Sequence, residues 1–313
     1  MTGSLPHRVS VVDVGPRDGL QHEATLLDVA AKVTFIELIA SAGVPVVEAG
    51  AFVSPRWVPQ MADTDEVFAR VSRREGTRYP ALVPNIQGLE RASAAGVNEV
   101  AIFAAASESF SRKNINQSIA ESLETYAAVC ARAHESGFRV RGYVSTGFGC
   151  PFEGAVPPAR VAEIAGALAD MGVFEVSISD TIGVAHPGQV WNVLEALGRR
   201  LPVGRTALHF HDTRGTGLAN VLAGLQAGVS VFDTSCGGLG GCPYAPGSTG
   251  NLATEDLVYM LSGLGVETSI DLNALVAASD FMAGLLDHPL PSRYYQASRR
   301  GQRPDPGREL PHA

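Results

Sequence analysis

The chain has 313 residues, a net charge of −8 and 45% hydrophobic residues. That hydrophobic fraction supplies a large buried core and excludes an intrinsically disordered chain. The acidic balance, without a Lys/Arg-rich block, argues against a nucleic-acid partner. Four cysteines without metal-type spacing or disulfide-scaffold density are typical of a reducing compartment. The sequence has neither a signal-peptide pattern nor an apolar stretch of membrane-spanning length, so we expect a soluble, cytoplasmic protein with no membrane partner.

Short β-branched runs alternate with amphipathic segments along the chain. The predicted strands are residues 9–14, 44–48, 79–83, 99–103, 139–144, 174–179, 206–211 and 229–235. The clearest helical segments are residues 27–42, 119–136, 158–171 and 218–227. Glycines that can adopt positive φ are predicted to end five helices: Gly43, Gly96, Gly137, Gly172 and Gly228. Eight alternating strand–helix units predict a parallel sheet closed on itself.

The predicted fold class is α/β, a single (β/α)8 TIM barrel with a short C-terminal helical extension. An open doubly wound sheet has the same alternation, but no GxGxxG sequence follows the first strand. We expect one domain over residues 1–313, with the barrel at about 9–265 and helices and tail at about 266–313.

Beyond the eighth strand, residues 251–263 and 271–286 are predicted to be helical. The segment from residue 291 to 313 is rich in Arg, Pro and polar residues, so it is expected to be an irregular extension.

Active sites of such barrels form from the loops at the C-terminal ends of the strands. The first strand leads to Arg17 and Asp18, which places a cation beside a carboxylate; alone, this pattern is more often a surface ion pair. The seventh ends at His209 and His211, and side chains two residues apart on a strand share one face. Both imidazoles can therefore face one metal ion.

The eighth strand leads into a glycine-rich loop, residues 237–241, followed by Cys242 and then Asn251. Four glycines allow close approach to a ligand and allow hinge motion. Cys242 is a candidate reactive thiol, with an inert small residue as the alternative. Asn251 is a candidate ligand or the N-cap of the next helix.

Two further strands end in carboxylates. Glu48 follows the second strand, and Asp180 follows the sixth; either can support a metal site or simply cap a loop. Together, Asp18, His209, His211 and Asn251 form a mixed oxygen and nitrogen set. Such a set favours Mg²⁺ or Mn²⁺ over a thiolate-rich zinc site.

Five motifs then resemble one family, the 3-hydroxy-3-methylglutaryl-CoA lyases. They are residues 14–21 (VGPRDGLQ), 51–61 (AFVSPRWVPQM), 179–183 (SDTIG), 238–244 (GLGGCPY) and 250–258 (GNLATEDLV). The resemblance extends from about residue 9 to about residue 286. It implies a hydroxymethylglutaryl-CoA lyase, a carbon–carbon lyase acting in leucine degradation, that binds an acyl-CoA thioester and forms a homodimer.

The resemblance also implies roles for individual residues. Asp18, His209, His211 and Asn251 would bind the metal, and Glu48 would support them. Arg17 would stabilise the enolate oxygen of the departing thioester, Cys242 would act as acid/base, and Asp180 would help to take the hydroxyl proton. Lys113 and Asn114 match a pair that would bind coenzyme A, although a solvated helix start fits these two residues equally well.

The chain departs from the family at Arg214 and Thr216, where an aromatic residue and Gln are common after His-Asp-Thr. An added arginine could recognise a further carboxylate, so citramalyl-CoA or a longer 3-hydroxyglutaryl-CoA are alternative substrates. A Claisen-type acyltransferase resembling isopropylmalate synthase is a more distant alternative. Those enzymes carry Glu-Arg where this chain has Cys242-Pro243, and they carry a long C-terminal extension.

Overall fold

The fold is built on one sheet of parallel strands, seen in a computed structural model that describes residues 5–241 and 250–302. Its nine strands are β1 Ser10–Asp13, β2 Val46–Val47, β3 Gly50–Ala51, β4 Ala81–Leu82, β5 Glu99–Ala105, β6 Arg139–Ser145, β7 Glu175–Asp180, β8 Thr206–Phe210 and β9 Val231–Thr234. The order across the sheet is β2-β1-β9-β8-β7-β6-β5-β4-β3.

Helices follow most strands and cover the outside of this sheet. Those among the described residues are α1 Val29–Ser41, α2 Thr64–Arg70, α3 Ile86–Ala94, α4 Glu108–Ile115, α5 Ile119–Glu135, α6 Pro158–Asp170, α7 Pro187–Leu197, α8 Gly217–Gln226, α9 Thr254–Gly263, α10 Leu272–Ala283 and α11 Arg293–Gln302. None of them is both long and apolar enough to cross a bilayer.

The second barrel strand is divided into β2 and β3, whereas the sequence predicted one strand over residues 44–48. β2 pairs with β1, and β3 pairs with β4. Between them, the Glu48 N–H donates to Asp13 on one side (2.9 Å), and the Ala49 N–H donates to Pro80 on the other (3.0 Å). Pro80 accepts this bond but has no N–H to return one, which interrupts the ladder. The two segments together bond to both neighbours, and the predicted (β/α)8 barrel is confirmed.

Residues close to the helix ends set several of the observed boundaries. Asp28 caps α1 by accepting a hydrogen bond from the Ala31 N–H. The glycines predicted to end five helices all have positive φ, between 69° and 92°. Sequence-local chemistry therefore set these boundaries.

The C-terminal segment differs from its prediction. Residues 293–302 form α11, whereas an irregular tail was expected. The Asp256 carboxylate accepts hydrogen bonds from the Ser292 hydroxyl (3.0 Å) and from the Arg293 and Tyr294 N–H groups (3.0 and 2.7 Å). This distant carboxylate caps the helix start, so the helix depends on a tertiary contact that the local sequence does not reveal.

A group of charged side chains lies inside the barrel. Arg141 on β6 is buried and donates through Nε to Glu175 (2.7 Å) and through Nη2 to Asp233 Oδ1 (2.8 Å). Burying these charges is tolerated because each has an oppositely charged partner.

Arg141→Met is predicted to lower the free energy of unfolding by about 3–5 kcal/mol, because it leaves the fully buried Asp233 carboxylate without its cation and removes the partner of the partly buried Glu175. Arg139→Met is the matched control on the same strand, since Arg139 is half exposed and its partner Glu99, at 3.2 Å, keeps a second cation in Arg78. Its expected cost is about 1 kcal/mol or less. Urea unfolding of both variants measures this difference. Equal losses would show that the interior network contributes no more than the pair at the half-exposed Arg139.

Candidate active site

Three predicted metal ligands meet at the C-terminal ends of the strands. Asp18 lies in a π-helical turn after β1, His209 lies on β8, and His211 directly follows that strand. One donor atom from each of the three lies within 4.8 Å of the other two, and both histidines are buried. This spacing allows one cation to contact all three side chains.

Asn251 completes this group from the other side of the glycine-rich loop. It precedes α9 and forms a backbone bridge with His211, so it is not the N-cap of that helix. Its Nδ2 donates to Asp18 Oδ2 (3.0 Å) and to the Leu239 carbonyl (3.0 Å). Its Oδ1 is buried with no hydrogen-bond partner among the described residues. The donors of the carboxamide are satisfied while its oxygen stays available, so these four side chains fit a divalent cation.

The charge state of Asp18 suits the same use. Burial raises the pKa of this carboxyl, but Arg17 and the two histidines outweigh that effect and hold it below its usual range. Asp18 is therefore an anion at neutral pH, the form that binds a metal.

Arg17 is fixed by two carboxylates. Its Nε and Nη2 both donate to Glu48 Oε2 (2.9 and 2.8 Å), and its Nη1 donates to Asp18 Oδ1 (2.6 Å). Tyr143 also donates to Glu48 Oε2, at 3.1 Å. Glu48 thus contacts Arg17 directly, and its link to the metal ligands runs through that arginine.

A second set of contacts orients His209, and the sequence analysis did not find it. Asp233 Oδ2 lies 3.5 Å from His209 Nδ1 and accepts a hydrogen bond from the Ser177 hydroxyl (2.7 Å). Burial raises the pKa of Asp233, but Arg141 and His209 lower it to about 2. The usable signal was a set of polar residues inside apolar strands, which must face the barrel interior if the outer face packs against helices.

Asp180 lies at the end of β7, next to β8. Its two carboxylate oxygens accept hydrogen bonds from the Val184 and Ala185 N–H groups (2.9 and 3.0 Å). Burial, partly offset by these bonds, raises its pKa to about 6. The side chain therefore holds the following loop in place while it can gain or lose a proton near neutral pH.

The other predicted residues lie around this centre or outside the described residues. Cys242 lies outside the described residues. Lys113 and Asn114 are exposed on α4, and the Lys113 ammonium lies 4.0 Å from the centre of the Phe152 ring. Arg214 donates to the Ile182 and Gly183 carbonyls (3.0 and 2.8 Å), which ties it to the loop after β7.

Known proteins share both sequence and fold with this chain. The rat mitochondrial hydroxymethylglutaryl-CoA lyase is 51% identical over 296 residues, covering 95% of this chain and 91% of that protein. The rat cytoplasmic 3-hydroxy-3-methylglutaryl-CoA lyase is 48% identical, covering 94% of this chain and 86% of that protein.

Solved structures agree with this relationship. The hydroxymethylglutaryl-CoA lyase of Pseudomonas aeruginosa superposes with a TM-score of 0.93 at 48% identity, covering 95% of this chain and 99% of that one. An HMG-CoA lyase from Acinetobacter baumannii, in complex with coenzyme A and 3-methylmalate, gives 0.89 at 36% identity, covering 97% and 98%. The resemblance drawn from the motifs is confirmed. The sequence model of the HMGL-like family matches residues 8–282, and this chain belongs to that family.

Proposed function

We propose that this chain is a lyase that cleaves 3-hydroxy-3-methylglutaryl-CoA into acetyl-CoA and acetoacetate. The observation that carries this proposal is the convergence of Asp18, His209, His211 and Asn251 beside the fixed guanidinium of Arg17. Relatives near 50% identity that are named hydroxymethylglutaryl-CoA lyases support the same substrate.

The four convergent side chains would hold Mg²⁺ or Mn²⁺. One carboxylate, two imidazoles and one amide oxygen suit these cations. Four side-chain ligands would not complete the octahedral shell that such ions prefer, which would leave positions for substrate oxygens. The bound ion would supply Lewis-acid polarisation of the acyl group's oxygen atoms.

Arg17 is assigned to the thioester oxygen. Its position is set by Glu48 and Asp18 before any substrate binds, so no reorganisation is needed when negative charge develops on that oxygen. A preorganised donor of this type typically contributes about 3 kcal/mol to transition-state stabilisation.

Two proton transfers complete the retro-Claisen step. Asp180 accepts the proton of the substrate's tertiary hydroxyl, for which a pKa of about 6 is suited. The hydroxyl oxygen then forms the ketone of acetoacetate while the carbon–carbon bond breaks and leaves the enolate of acetyl-CoA. The Cys242 thiol gives its proton to the enolate carbon, on a loop whose glycines permit closure.

Coenzyme A is assigned to the region of Lys113 and Asn114. Both residues lie on α4, which follows β5 at the C-terminal face where the metal ligands meet. Lys113 supplies positive charge for a polyanionic ligand whose approach the net charge of −8 opposes. The leucine-degradation role and the homodimer stay predictions of the family resemblance, and the cytoplasmic location stays a prediction from the sequence pattern.

Arg214 is the residue on which the alternative acyl groups depend. Its Nη1 is committed to two carbonyls, which limits its reach into the site. Cleavage of citramalyl-CoA or of a longer 3-hydroxyglutaryl-CoA would use the same residues and differ only in how the acyl chain is recognised.

Asn251→Asp is predicted to weaken Mn²⁺ binding about tenfold or more, although carboxylate is the stronger ligand in general. With one oxygen turned to the metal, the other oxygen would face the Leu239 carbonyl and Asp18 Oδ2 with no proton to donate, at a cost of about 1–3 kcal/mol that the metal-free side chain avoids by turning away. Electron paramagnetic resonance of free Mn²⁺ measures the dissociation constant. Asn192→Asp, the same change on the exposed face of α7, should leave it unchanged. Tighter binding by Asn251→Asp would contradict the assigned orientation of the carboxamide.

Cys242→Ala is predicted to lower kcat by about 10²- to 10⁴-fold, because the enolate would lose its proton donor. The measurement follows acetyl-CoA release from 3-hydroxy-3-methylglutaryl-CoA with Mg²⁺ or Mn²⁺. Cys130→Ala is the control, since that thiol is buried in α5. Wild-type turnover should stop when the metal is removed by a chelator.

Citramalyl-CoA in a parallel assay tests the acyl group. Cleavage of citramalyl-CoA alone would overturn the assigned substrate and make Arg214 the first residue to replace. Cleavage of neither thioester would favour the acyltransferase alternative.

A further inference from the structure

The base of the glycine-rich loop is held by a buried carboxylate that the proposed mechanism does not use. Gly237 begins this loop with a φ of 72°. Its N–H lies 3.0 Å from both carboxylate oxygens of Glu255, and its carbonyl accepts a hydrogen bond from the Ser292 N–H (3.1 Å). Both backbone polar groups of Gly237 are therefore fixed by distant parts of the chain.

Glu255 is itself fully enclosed. It is 0% exposed in the first turn of α9, and the Ser279 hydroxyl on α10 donates to its Oε1. Cys236 Sγ lies 3.5 Å from the same oxygen. Keeping a carboxylate away from water costs free energy, which favours a specific local role for Glu255 at Gly237.

Two peptide units separate Gly237 from Leu239, which contacts the proposed metal ligand Asn251. The Leu239 carbonyl accepts a hydrogen bond from Asn251 Nδ2, and the Leu239 side chain is buried. At the next residue, Gly240, an added Cβ would lie 2.5 Å from that same Nδ2. The backbone at Leu239 and Gly240 therefore lies against the Nδ2 end of the Asn251 carboxamide, and the Leu239 carbonyl joins Asp18 Oδ2 in fixing that end.

We propose that Glu255 is a positioning residue, which fixes Gly237 so that the Leu239 carbonyl orients Asn251 with its oxygen available to the metal. This inference rests on the proposed role of Asn251 as a ligand. Loss of the Glu255 anchor frees the Leu239 carbonyl to move, and the carboxamide then rotates or tilts. Supporting groups of this kind typically change metal affinity by about 10–100-fold.

The neighbouring residue provides a matched control. Asp256 lies in the same helical turn and is also mostly buried, but its three hydrogen bonds go to the start of α11. Asp256→Asn keeps Oδ1 as acceptor for the Ser292 hydroxyl and the Tyr294 N–H and loses only the acceptor of the Arg293 N–H. It therefore perturbs a buried carboxylate of α9 without freeing either group that anchors Gly237.

The experiment measures the Mn²⁺ dissociation constant of the full chain by electron paramagnetic resonance, without substrate. Glu255→Met removes the acceptor and should raise that constant about tenfold or more. Glu255→Gln keeps one acceptor and should raise it less; it decides the question if the Met variant does not fold. Asp256→Asn should leave the constant unchanged even if the melting temperature falls. An unchanged constant in the Glu255 variants, or an equal rise in Asp256→Asn, overturns the proposal.

A double-mutant cycle with Asn251→Ala separates this inference from the function on which it rests. If Glu255 acts through Asn251, its replacement should cause no further loss of Mn²⁺ affinity in the Asn251→Ala background. Equal losses in both backgrounds would show another route and overturn the positioning role alone. Unchanged Mn²⁺ binding in Asn251→Ala by itself would overturn the ligand assignment, and the positioning role with it.

Discussion

One carboxylate oxygen, Glu48 Oε2, accepts three hydrogen bonds in the interior of the barrel, two from Arg17 and one from Tyr143. Arg141 extends these contacts, because it donates to the Tyr143 hydroxyl (2.9 Å) and to Asp233. These contacts form a continuous path from Arg17 to Asp233. At one end lies Arg17, which is proposed to stabilise the enolate oxygen, and at the other end Asp233 contacts the proposed metal ligand His209. Charges this deeply buried are stable only as a complete set, which makes every member sensitive to the loss of another.

The loops above this interior are held by buried carboxylates at their bases. Asp13, the last residue of β1, accepts hydrogen bonds from the Gly15 N–H (2.8 Å) and from the Thr254 hydroxyl (2.7 Å). It thereby joins the turn that carries Asp18 to the segment that follows Asn251. Burial raises the pKa of Asp13 to about 7, despite these bonds. Apart from His209 on β8, the proposed ligands lie outside the strands, but their spacing is set by contacts within the rigid core.

Sequence reasoning succeeded where the controlling interaction is local. The alternation of strands and helices, the glycines at helix ends and the His209–His211 spacing follow from backbone preferences and strand periodicity. It failed where a distant group decides the outcome. α11 needs the Asp256 carboxylate, and the division of the second strand needs Pro80 on its neighbour. Neither partner can be identified from the segment that depends on it.

The sequence by itself determined the barrel, the family and most of the side chains expected to act, because long motifs and strand-end positions carry that information. Only the tertiary structure decided how these side chains are held. Asn251 lies 233 residues from Asp18 along the chain, and their 3.0 Å contact leaves one carboxamide oxygen free to bind a cation. The tertiary structure likewise decided the contacts of Asp233, Arg141 and Glu255. Hydrogen-bond geometry between distant residues depends on the packing of the whole barrel, and no local sequence pattern specifies that packing.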